Sequence, residues 1–360
     1  MNAVTQVPFV DLSCQWHEIR DAVLPDLDAL FTSSAFVLGP WVERFEQEIA
    51  GYLGVRHAIG VGSGTAALHL AFMAAGIGPG DKVLVPAHTF IGSIWGLLYL
   101  GAEPVLCDVE PDTGLLDLAD AERRMGRGVR AILPVHLYGQ PVDMRAARAF
   151  ALKHALILVE DAAQAIGDLG CFSFYPGKNL GAAGEAGLVV TDDDAMAHRV
   201  RRLRNHAQTE PYVHGELGFN ARMDAIQALV LSHKLPHLER WTAQRRALAL
   251  RYRAALADLP LLLPITRGGD HVFHMFVIRT PERDRLREHF ARCSIQTGLH
   301  YPVPLHRQPC LRAIDMDRDS FPVADAFARD GLSLPLFVGM TEAQQDRVVA
   351  AARGFFGHDA

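Results

Sequence analysis

Two kinds of hydrophobic pattern alternate along the middle of the chain. Short apolar, β-rich runs at 58–61, 82–85, 104–107, 129–134, 155–159, 171–174 and 187–191 read as strands. Between and after them, 65–75, 91–100, 144–152 and 192–204 carry apolar residues at helical spacing. Strands separated by helical crossovers predict an α/β layer structure around a mainly parallel sheet. Past about residue 221 the pattern changes to long helices over 221–235 and 237–256, ended by Pro260 and Pro264. A β-like run at 271–279, a helix at 281–290 and a terminal helix from Thr341 to about Arg353 follow, with Gly354 suited to its end. This predicts a large domain over residues 1–236 and a smaller C-terminal α/β domain over 237–360. The Pro-, His- and Arg-rich stretch 296–322 reads as a long connection, a kind of loop that is often functional.

A chain of 360 residues exceeds the size at which one core stops growing, so two domains are the default. The formal charge of -6 comes from intermixed acidic and basic residues, which argues against a nucleic-acid footprint. The densest basic cluster, Arg199, Arg201, Arg202 and Arg204, has the spacing of a solvated helix face. Five widely separated cysteines offer neither a disulfide framework nor metal spacing, and the first residues show no basic-then-apolar leader, so a reducing cytoplasm is expected. Twenty residues between Lys82 and Glu103 lack Asp, Glu, Lys and Arg. Pro86, His88, Thr89, Gly92, Ser93 and Gly96 interrupt them, so they read as two buried elements and no membrane span.

Three places carry candidate chemistry. Gly60-Val61-Gly62-Ser63-Gly64-Thr65 follows a strand and opens a helix, where free N–H groups can receive a phosphate or Ser63 can simply cap. Asp161 ends a predicted strand, the place where ligands of parallel sheets bind, although it could equally cap a helix. Lys178 lies in Tyr175-Pro176-Gly177-Lys178-Asn179, just after another strand. A lysine for a Schiff base, a carboxylate for a ring nitrogen and a phosphate cradle are what pyridoxal phosphate requires.

The ordered motifs PFVDL (8–12), FVLGP (36–40), GSGTAAL (62–68), PVHLYGQP (134–141), EDAAQ (160–164), FSFYPGKNL (172–180), LRNH (203–206), GFNARM (218–223), HYP (300–302) and LSLPL (332–336) run nearly end to end. Through them the chain resembles the DegT/DnrJ/EryC1/StrS family of pyridoxal-phosphate-dependent nucleotide-sugar aminotransferases. The resemblance implies a fold-type I architecture and a homodimer with shared active sites. It implies Schiff-base attachment of pyridoxal 5'-phosphate to Lys178, with Asp161 on the pyridine nitrogen and Gln164 at the phenolic oxygen. Gly64, Thr65 and Ser173 would hold the phosphate, Phe90 would stack on the ring, and His300 and Tyr301 would approach the sugar nucleotide. Asn220, which by sequence could cap the following helix, would reach the phosphate of the partner subunit's cofactor.

The implied reaction moves an amino group from L-glutamate, through pyridoxamine phosphate, to a nucleotide-linked keto sugar. HLYGQP and GFNARM look closer to the C3-aminating deoxysugar enzymes of that family than to its C4 group, and the resemblance implies a dTDP-3-keto-6-deoxyhexose. Alternatives are C4-specific or cyclitol amination, sugar dehydration, and a non-catalytic cofactor-binding regulator. The sequence departs from the family at a shortened 165–170 connection, at Gly184-Glu185-Ala186-Gly187, and at Ala207, where glycine is common.

Overall fold

The computed structural model describes residues 6–161, 169–266, 271–314, 316 and 318–357. Two N-terminal helices that the hydrophobic pattern had not suggested come first, α1 (Ser13–Ser33) and α2 (Pro40–Leu53). Pro40 at the first turn supplies the fixed φ that a helix start uses. Then strands and helices alternate: β1 (His57–Val61), α3 (Gly64–Ala74), β2 (Lys82–Pro86), α4 (Gly92–Tyr99), β3 (Glu103–Cys107), α5 (Leu118–Arg123), β4 (Val129–Ile132), α6 (Met144–Lys153), β5 (Ile157–Asp161), β6 (Leu169–Ser173), β7 (Gly187–Thr191) and α7 (Asp194–Leu203). The seven strands form one sheet in the order β1-β7-β6-β5-β4-β2-β3. Only β7 runs antiparallel to its neighbours, so the sheet is mixed but mainly parallel.

The uncharged window at 83–102 resolves into β2 and α4, both largely buried. Among the described residues, no helix is long and apolar enough to cross a membrane.

A short exposed hairpin follows, β8 (Gln208–Glu210) with β9 (Val213–His214), and then α8 (Ala225–Lys234) and α9 (Leu238–Ala255). The C-terminal body adds β10 (Phe276–Arg279), α10 (Arg283–Arg292), α11 (Pro322–Asp330), β11 (Gly331–Leu334) and α12 (Glu342–Phe355), with β10 and β11 antiparallel. Three sequence-based boundaries change and two elements are added. The helix expected from 221 begins at Ala225, because Ala221 and Arg222 pair with Gly62 and Val61 instead. The strand expected over 271–279 is confined to its last four residues. The last helix runs through Gly354, and α11 and β11 are additional. Thr341 and Gln344 form a reciprocal capping box at the start of α12.

On one face of the sheet, Ile59, Val61, Val83, Val85 and Val159 pack with α3, α4 and α7, and with Leu305, Leu311, Phe321 and Phe327. The other face is covered by α5 and α6 on one side and by α2 and α8 on the other. A separate core joins Tyr252, Phe276, Phe290, Leu332 and Val348, and also takes in Val7. The expected boundary near residue 236 falls in the 3-10 turn Leu235–His237 between α8 and α9, and we propose that turn as the division.

The basic cluster is not a freely solvated face. Arg204 turns inward, its Nη1 donating to the Gly60 carbonyl at 2.6 Å and to Glu46, while Arg199 and Arg202 both pair with Glu216. Glu46 also accepts the Gly60 N–H at 2.7 Å, so this ion pair clamps the base of the glycine turn. Ala207 adopts φ +51°, a left-handed conformation that explains why glycine suits the position.

Candidate active site

The carboxyl ends of β1, β5 and β6 and the start of α4 converge on one recess. Asp161 is the last residue of β5, and its Oδ2 accepts a 2.6 Å hydrogen bond from Ser93. Ser93 lies 3.1 Å from Thr89 Oγ1, and both hydroxyl residues are buried. Burial pushes the Asp161 carboxyl above its ordinary range, while the Ser93 bond, Lys178 and His136 pull it back. The carboxylate is therefore best accommodated beside a positive group.

Lys178 hangs from the turn after β6, with its N–H donating to the Tyr175 carbonyl at 2.8 Å. Two long-range bonds hold the same turn. Asn179 Nδ2 donates to the Val272 carbonyl at 2.9 Å, and the buried Lys234 donates to the Gly181 carbonyl at 2.7 Å. Burial lowers the pKa of the Lys178 amine, and the charge of Asp161 offsets part of that shift. Such an amine is neutral, and so nucleophilic, more readily than a surface lysine.

The glycine turn closes one side of the recess. Ser63 caps α3, its Oγ accepting the Ala66 N–H at 3.1 Å. The N–H groups of Gly64 and Thr65 belong to the open first turn, where an anion can be received. Gly64 backs directly onto Ser173, since a Cβ on Gly64 would lie 2.6 Å from Ser173 Cβ. On Gly92, a Cβ would lie 2.7 Å from the Phe90 ring and 3.0 Å from Thr65 Oγ1. Gly64 is thus packed against Ser173, and Thr65 against the Gly92 that carries the Phe90 contact. The Phe90 ring is 51 % exposed, with its centroid 5.4 Å from that of Tyr301.

His300 and Tyr301 approach from the C-terminal body. His300 Nδ1 is 2.8 Å from Ser333 Oγ, its ring stacks on Phe9, and its carbonyl accepts the Tyr138 hydroxyl. Burial, with Lys178 adding repulsion, pushes His300 down to about 4. Burial and the nearby Asp161 charge push Tyr301 up to about 12. Both side chains are therefore neutral near pH 7.

Asn220 stands apart from this cluster in the single chain. It is exposed, and its Oδ1 accepts from Arg222 Nε at 3.0 Å and Nη2 at 2.7 Å. It does not cap α8, whose N-cap position is Asp224. Gln164, and with it most of the shortened connection, lies outside the described residues. Sequence reasoning missed Ser93, Thr89, His88 and Tyr138, the last two joined by a 2.8 Å bond. For His88, Thr89 and Ser93 the signal was polar residues inside an apolar stretch, since such groups need partners once buried, and Tyr138 stood within the PVHLYGQP motif.

Residues 17–353 match the DegT/DnrJ/EryC1/StrS aminotransferase family. The chain belongs to that family. As a member it is a fold-type I, pyridoxal-phosphate-dependent aminotransferase. The dTDP-3-amino-3,4,6-trideoxy-alpha-D-glucose transaminase of Streptomyces venezuelae is 43 % identical over 362 residues, covering 97 % of this chain and 96 % of that protein. A protein of Geobacillus stearothermophilus named as a pleiotropic regulatory protein is 41 % identical over 368 residues, covering 98 % and 99 %. The crystal structure of S. venezuelae DesV in complex with a ketimine intermediate superposes with a TM-score of 0.94 at 43 % identity, covering 97 % of this chain and 98 % of that one.

The family's cofactor fits the residues present. A half-buried lysine and carboxylate that feel each other's charge, an uncovered aromatic ring and the open N–H groups of the first turn of α3, packed against Ser173, match a planar, cationic, phosphorylated ring.

Proposed function

We propose that this aminotransferase moves an amino group from L-glutamate to a nucleotide-linked keto-deoxysugar, specifically a dTDP-3-keto-6-deoxyhexose. The observation that carries the proposal is the half-buried, electrostatically coupled Lys178 and Asp161 beside the open Phe90 ring and the close Gly64–Ser173 approach at the start of α3. When bound, pyridoxal phosphate supplies an electron-withdrawing ring that stabilises the charge left when a Cα–H bond breaks. Lys178 would hold the cofactor through its amine, and that amine would move the proton at the substrate carbon as base and then acid. Its depressed pKa suits both duties, and its fixed position contributes most of the advantage. Asp161 faces the ring nitrogen and favours its protonated form. Gly64, Thr65 and Ser173 receive the phosphate, Phe90 stacks on the ring, and Gln164 meets the phenolic oxygen.

His300 and Tyr301 approach the sugar nucleotide as neutral hydrogen-bonding groups. The active unit is a symmetric dimer in which Asn220 reaches the phosphate bound by the partner. The sugar assignment is supported by the Streptomyces relative, named for a 3-amino sugar. The other reading weighed against it is a non-catalytic cofactor-binding regulator.

Incubation of the holoenzyme with L-glutamate, followed by absorbance, separates the two. Conversion to the pyridoxamine form is expected, and its complete absence with every amino acid tried would favour the regulator. Adding dTDP-3-keto-6-deoxyglucose to the converted enzyme should then yield a 3-amino product by NMR. A 4-amino product, or turnover only with a cyclitol ketone, would replace the substrate assignment.

A further inference from the structure

Asp161 is held by a residue that belongs to no motif quoted above. Ser93 sits in the first turn of α4, 2 % exposed, with its hydroxyl donating to Asp161 Oδ2 at 2.6 Å. Because that proton is committed to the carboxylate, Ser93 Oγ must accept from Thr89 Oγ1, 3.1 Å away and also 2 % exposed. The Ser93 N–H donates to the Phe90 carbonyl at 3.0 Å. One residue therefore ties the ring-nitrogen carboxylate to the loop that carries the stacking aromatic. The approach is close because position 92 is glycine: a Cβ there would lie 2.7 Å from the Phe90 ring.

We propose that Ser93, backed by Thr89, is a positioning residue for the cofactor: it orients Asp161 and keeps it ionised, leaving its remaining lone pairs for the ring nitrogen. The proposal rests on the functional reading given above, in which Asp161 meets that nitrogen. A short hydroxyl-to-carboxylate bond in a buried site is among the stronger hydrogen bonds, and it favours the charged acceptor. The aligned second hydroxyl polarises the first and strengthens it. Other groups face the same carboxylate: Lys178 and His136 favour its charge, while Tyr301 and Cys171 lie within its field. Ser93 differs from them in direct contact with the carboxylate oxygen, so its loss is not made good by rearrangement of distant charges.

The test compares holoenzymes of the parent, Ser93→Ala, Ser93→Thr, Thr89→Val and Asp161→Asn. Three quantities are read: the dissociation constant for pyridoxal phosphate, the pH dependence of the bound cofactor's visible band, and the melting temperature. Ser93→Ala should weaken cofactor binding about tenfold and shift the band's pH profile, the loss expected for one charge-assisted bond. Ser93→Thr, which keeps the hydroxyl, should recover most of both, and Thr89→Val should shift both less, in the same direction. Affinity and pH profile of Ser93→Ala within twofold of the parent would overturn the proposal, as would a Ser93→Thr variant equally impaired. Should Ser93→Ala fail to fold, Thr89→Val decides, and parent-like behaviour there overturns it. Asp161→Asn separates the two levels. If it too behaves like the parent, the assignment of Asp161 itself fails, whereas an impaired Asp161→Asn beside an intact Ser93→Ala removes only the role of Ser93.

Discussion

Gly64 and Ser173 come from different strand ends, yet they approach so closely that a methyl group on Gly64 would sit 2.6 Å from Ser173 Cβ and 3.1 Å from its Cα. Neither atom is the free end of a flexible chain, so Gly64→Ala must push β6 and the start of α3 apart. The expected result is a loss of pyridoxal phosphate affinity of at least about tenfold, with a modest drop in thermal stability, since overpacking typically costs about 1–3 kcal/mol. Equilibrium dialysis of the variant checks this, and unchanged affinity would remove Gly64 from the phosphate site.

Lys178→Ala should abolish turnover while leaving the melting temperature near that of the parent. Removing the amine relieves its own desolvation, and Asp161, which loses one positive neighbour, keeps the Ser93 hydrogen bond and His136, so the chain should stay folded. Borohydride reduction of the parent followed by peptide mass analysis should find the cofactor on Lys178. Its recovery on another lysine would overturn the assignment.

Asp161→Asn keeps the shape and removes the charge. The donor half-reaction should slow on the order of a hundredfold, equivalent to about 2.7 kcal/mol of barrier. Stopped-flow rates close to the parent's would show that the ring nitrogen needs no carboxylate here.

Mixing Lys178→Ala with Asn220→Ala under conditions of subunit exchange tests whether sites are shared. If Asn220 serves the partner, a mixed dimer concentrates both lesions in one site and leaves the other whole, so activity should return. With mixed dimers confirmed by mass spectrometry and the Asn220 variant inactive alone, the absence of recovery would confine Asn220 to its own chain.

Stability should also respond to acid in a particular window. Burial pushes His88 and His271 down to about 3 and His300 to about 4, with nearby Arg279 adding repulsion at His88. Between those values and about 6.5 the unfolded chain binds more protons than the folded one, so stability is intact above about 6.5 and falls as pH drops. At pH 5 each such histidine costs on the order of 2 kcal/mol. Urea unfolding at pH 7.5 and pH 5.0 should reveal the loss, and His88→Asn should flatten it. Equal stability at the two values would contradict the burial argument.

The central strands were legible because they are short apolar runs buried within a layered sheet, and Asp161 and Lys178 because they follow two of those runs. What escaped the linear pattern depends on distant partners. Ser93 is informative only through Asp161, sixty-eight positions away. Residues 272–275 look like a strand but are not one, because Val272 and Met275 donate their N–H groups to Gly139 and Tyr138. The start of α8 is delayed for the same kind of reason, since Ala221 is already engaged with Gly62. Local propensity describes an element, while its ends and its polar contacts are decided by whatever packs alongside.

Val83, Val85 and Val159 share their core with Leu305, Leu311, Phe321, Ala324 and Phe327, while Val7, bridged to Ile295, lies in the core of the C-terminal body. Each body is thus completed by chain from the other side of the turn at 235–237. Ribosomal synthesis is vectorial, so every strand of the large sheet emerges well before the residues that cover its face. During that interval apolar surface stands open, the condition under which nascent chains engage chaperones or aggregate. Ribosome-stalled chains ending at residue 236 should remain protease-sensitive, and resistance would appear only once residues 305–327 are clear of the exit tunnel. The recess that takes the cofactor is, by this timing, among the last parts of the protein to become firm.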